Sequence, residues 1–89
     1  MNITKKQAFI RNLEYAMKFL AEARGELQEA QEVIREEIEQ LYIGRLLTMK
    51  KGASEEMFEL SEEKSALADM IEKLDAFSDV VEKIYNKHK

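Results

Sequence analysis

The chain has 89 residues, 45% hydrophobic and 36% charged, with no Cys, no Pro and a net charge of −4. That length holds at most one small domain, and the missing cysteines exclude a disulfide framework, a cysteine metal site and a thiol nucleophile. No run approaches about 18 apolar residues, so no membrane span is expected. The opening MNITKKQAF is not followed by the apolar segment a signal peptide requires, and a cytoplasmic location fits these features.

Charge is unevenly placed. Residues 1–24 carry +3, 25–43 carry −5, 44–51 carry +3, 52–79 carry −7 and 80–89 carry +2. A general nucleic-acid binder would need a basic face that overcomes this acidic middle. Only three Gly punctuate the chain, and its Glu, Lys, Leu, Ala and Ile usage is that of long helices.

The first predicted helix starts at Thr4, where Thr4-Lys-Lys-Gln7 has the form of a capping box behind Ile3. Leu13, Leu20, Leu27, Ile34 and Leu41 then recur at intervals of seven, with Ile10, Met17, Arg24, Gln31, Ile38 and Arg45 on the companion line. The frame does not slip at Gly25, and no Asn, Asp, Ser or Pro accompanies that glycine. One continuous helix over about 4–49 is expected, at a local cost of about 1 kcal/mol for Gly against Ala. The alternative is a three-helix bundle with a turn near Gly25, and an earlier end at Gly44 is a further option. A third line, Phe9, Ala16, Ala23, Ala30, Glu37 and Gly44, has three successive Ala that leave room for close helix approach. Arg24 and Gln31 place polar groups on the seam. Such residues fix register and oligomer state at a cost in stability, although Arg24 can equally reach outward to solvent from a wide surface.

Lys50 and Lys51 suit a helix C-terminus and Gly52 the residue beyond it. A turn over 50–54 follows, with Ser54 as the expected cap of a second helix over about 55–86. There Leu60, Leu67, Leu74 and Val81 repeat at seven, with Met57, Lys64, Ile71, Ser78 and Tyr85 alongside. A second line, Met70, Phe77 and Ile84, broadens this into a face that wants at least two neighbours.

The expected fold is therefore all-α: a long, coiled-coil-like antiparallel hairpin in a single domain over 1–89, pairing as a homodimer into a four-helix bundle. Helix lengths of roughly 68 Å and 48 Å would leave Phe9, Ile10, Leu13, Met17 and Leu20 overhanging with a bare apolar face. The expected oligomer or partner interface comprises those five residues with Arg24, Leu27 and Gln31, and Leu67, Met70, Ile71, Leu74, Phe77, Val81 and Ile84 from the second helix.

No catalytic constellation is present. His88, the only His, reads as a solvated terminal residue, and no Glu is followed by His at the spacing that di-iron bundles use. The carboxylate clusters read as a solvated face with pairs such as Glu14–Lys18. No phosphate-binding glycine loop occurs. The chain is thus expected to be no enzyme, to carry no cofactor, metal or small-molecule substrate, and to serve as a protein-binding adaptor, chaperone or regulator. Its expected partners are itself and another protein, with no membrane. The alternatives are a nucleic-acid-associated regulator touching phosphates through Arg45, Lys50 and Lys51, or a structural assembly protein.

Overall fold

A computed structural model describes residues 1–48 and 52–89, and the side chains of 1–44 and 55–89. It consists of two helices, α1 (Ile3–Thr48) and α2 (Gly52–His88), packed along one another as a hairpin; no strand occurs among the described residues. The Cα extents are 68 × 14 × 14 Å, so the long axis is that of a single 46-residue helix at 1.5 Å per residue.

α1 runs unbroken through Gly25 and Gly44, so neither the three-helix alternative nor the early stop at Gly44 occurs. A lone glycine inside a helix costs less than the apolar seam on either side of it contributes. The N-terminus is capped by Asn2 rather than Thr4: the Lys5 amide donates to the Asn2 side-chain oxygen at 2.8 Å and the Lys6 amide to the Asn2 carbonyl at 2.9 Å. Asn is among the strongest N-caps, and the bond reaches the third helical N–H as that geometry requires. At the other end α2 already includes Ser54, so this residue lies inside the helix instead of capping it. Of the expected 50–54 turn, residues 52–54 belong to α2, and 50 and 51, with 49 before them, lie outside the described residues.

The earlier start and later finish give α2 37 residues, and this overturns the expected overhang. The far end of α2 reaches Phe9, whose ring meets His88 edge-on at 5.2 Å and 84°, and the Tyr85 hydroxyl donates to Glu14 at 3.0 Å. Ile10, Leu13, Met17 and Leu20 are half-buried; only the first turns, with Met1 and Ile3 exposed, project beyond α2.

Both heptad seams are where their spacing puts them. Every residue from Ile10 to Leu41 on the two α1 lines is half-buried, as are those of α2 from Met57 to Tyr85 except Ile71, which is buried. Ile71, 9% exposed, is the core residue among those described. Two helices alone can enclose little else.

Candidate functional site

The two flanks of the seam differ in chemistry. One is polar. There the Arg24 guanidinium grips Asp75 with Nε to Oδ1 at 2.6 Å and Nη2 to Oδ2 at 3.3 Å, and an open groove runs from Met17 and Ala21 past Ser78 and Glu82 to Asn86 and Lys89. The Lys89 ammonium sits 5.7 Å from the centre of the Tyr85 ring. Deeper in the seam Gln31 donates from Nε2 to the Lys64 carbonyl at 3.3 Å. Hydrogen bonding to Asp75 and its charge raise the Arg24 pKa, so the guanidinium is a fixed cation. The hydrogen bond from Tyr85 to Glu14, followed by desolvation, holds the phenol above its ordinary pKa.

The other flank is apolar. Ala23, Leu27, Met70, Leu74 and Phe77 line an open groove of about 490 Å³, with Glu26 and Lys73 at its rim. Helical periodicity extends it, because residues seven apart share a stripe. Ala16 and Ala30 lie one heptad either side of Ala23, and Phe19 and Val33 one heptad either side of Glu26. Ile84 follows Phe77, and Val80 follows Lys73. Phe19, Val33 and Phe77 are 62%, 66% and 59% exposed, and Met70, Val80 and Ile84 are exposed too. Exposed apolar residues scattered singly are ordinary, whereas a contiguous stripe marks an interaction surface.

The expected interface residues therefore divide into two sets. Ile10, Leu13, Met17, Leu20, Arg24, Leu27, Gln31, Leu67, Ile71, Leu74 and Val81 are engaged, wholly or in part, within the hairpin seam, and Phe9 meets His88. Met70, Phe77 and Ile84 remain open to solvent. Phe19, Val33 and Val80 belong with them: Phe19 and Val33 stand off the α1 seam in the sequence as a candidate second face, and Val80 is one heptad from Lys73 at the groove's rim. His88 is also not the solvated terminal residue expected, because it continues the Leu60–Val81 line by one more heptad and is half-buried. Glu14 pairs with Tyr85, the partner for which sequence reasoning offered Lys18. The expected phosphate contacts Arg45, Lys50 and Lys51 lie outside the described side chains.

Elsewhere on the surface, Arg35 bridges Glu32 and Glu39 along α1, and its hydrogen bond holds the Glu32 carboxyl below the usual range. Among the described residues no group of His, Asp and Glu is placed to hold a metal ion, and no helix is long and apolar enough to cross a membrane. No protein-family model, curated protein or solved structure matches the chain.

Proposed function

We propose that this chain is a small, non-enzymatic protein-binding protein of the cytoplasm, an adaptor, chaperone or regulator, that works as a homo-oligomer through helical apolar faces. The observation that carries this reading is the stripe built around Met70 and Phe77, exposed along one flank of a hairpin whose other flank carries the Arg24–Asp75 pair and more polar groups. A side chain the size of Phe loses about 1.5–3 kcal/mol of hydrophobic stabilisation when left in water. Several such residues aligned on one side are stabilised by any partner that covers them.

The test is solution mass by light scattering over a concentration series, for the native chain and for Phe77→Glu. Phe77 lies outside the seam, so the variant should keep its helical circular dichroism. The native chain should plateau above 10.4 kDa and the variant should fall to that single-chain mass. Equal masses for the two proteins would remove this face from self-association and leave a different protein as its only possible occupant. A mass that climbs without a plateau would point to the structural-assembly alternative.

A further inference from the structure

Resting on that reading, we infer that the occupant of the apolar groove is a second copy of this chain, stacked face to face with its turn at the opposite end. The two-fold axis crosses the long axis at Ala23.

Three observations fix this arrangement. The first is the surface left open. The accessible area is 7076 Å², against about 5,400 Å² expected for a compact monomer of this mass. The surplus exceeds the roughly 800 Å² that each partner gives to a standard-size interface.

The second is register. The contacts Phe9–His88, Arg24–Asp75 and Gln31–Lys64 place Ala23 level with residues 72–76 of α2. Met70 and Phe77 are centred at that same level. One axis there sets Ala23 against the partner's Ala23 and Ala16 against the partner's Ala30. It also sets Phe77 against the partner's Met70, a favourable sulfur–aromatic contact. Small residues let the two α1 helices approach while Met70 and Phe77 of one α2 meet Phe77 and Met70 of the other, with Ile84 level with the second copy's Glu63.

The third is charge. The half of the hairpin holding the termini, residues 1–24 and 74–89, carries +3, whereas the turn-side half, residues 25–73, carries −7. Reversing the second copy lays each positive half along a negative one. Placing both turns at the same end would stack the two −7 halves on each other.

Disulfide trapping in the full chain tests this, since the sequence has no native Cys. Ala23→Cys should oxidise to a covalent dimer of twice 10.4 kDa, with most of the chain linked. Gln28→Cys, which lies away from the groove, should stay unlinked under the same conditions. A mixture of Met70→Cys and Phe77→Cys chains should link to each other in preference to themselves. If Ala23→Cys instead links only to chains carrying Phe77→Cys, the turns lie together and the reversed arrangement is wrong, while a homo-oligomer on this face stands. If the native chain is monomeric at every concentration, or none of the groove cysteines links, a second copy does not occupy the groove. The protein-binding reading is then judged separately, by whether Phe77→Glu abolishes binding to a different protein.

Discussion

Arg24 on α1 and Asp75 on α2, 51 residues apart, meet in a two-pronged ion pair of 2.6 and 3.3 Å at the edge of a mainly apolar seam. The pair is half-exposed, so its contribution to stability is small and screened by salt. What it supplies is register, because a slide of either helix by one heptad would separate the guanidinium from the carboxylate. Arg24→Leu should therefore raise the melting temperature, by making the seam position apolar, yet broaden the population into more than one assembly in size-exclusion profiles and NMR spectra. A variant that is more stable and still a single species would assign Arg24 no role in register.

Gly25 offers a cleaner gain. It lies inside α1, and a Cβ added there would meet nothing within 4 Å. Gly25→Ala should stabilise the chain by about 0.5–1 kcal/mol through helix propensity alone, read as a higher midpoint in urea with an unchanged slope. A loss of stability would mean that the glycine accommodates a close neighbour in the assembled protein.

How far the fold could be read from the sequence depended on what set each feature. The seams were legible because a seven-residue repeat leaves little freedom: Leu13 to Leu41 and Leu60 to Val81 are half-buried throughout. Helix ends were not, because they depend on local competition between caps. Asn2 outdid Thr4, and α2 extends at both ends beyond the predicted range. Those few residues removed the expected overhang by carrying His88 to Phe9. The Arg24–Asp75 pairing was invisible for a related reason, since cross-helix partners follow from register and register follows from the turn. The line Met70, Phe77 and Ile84 was legible as a face wanting a neighbour. Only the hairpin shows that α1 leaves it uncovered.

Ile71 is the most deeply buried side chain described. Ile71→Ala should cost about 2–3 kcal/mol, at the low end for such truncations because an open two-helix seam can settle into the gap. Thermal or urea unfolding measures this. If Ile71→Ala costs no more than a truncation at exposed Val33, the seam is not what holds the helices together.

Two hydrogen bonds give the protein opposite pH sensitivities at its extremes. Tyr85 donates to Glu14, which raises the phenol pKa in the folded state. The associated stability is fully present below the ordinary tyrosine pKa of about 10 and is lost as pH rises through the folded value. Glu32 accepts from Arg35, which lowers its pKa. Its contribution is present above the ordinary Glu value of about 4.3 and is lost as pH falls through the folded value. The difference in unfolding stability between the native chain and Tyr85→Phe should therefore shrink on the alkaline side, and that for Glu32→Gln on the acid side. Titrating both differences by urea unfolding checks the signs. An unchanged Tyr85→Phe difference across the alkaline range would mean that the Tyr85–Glu14 bond does not persist in solution, and with it would go the close approach of the α2 end to the start of α1.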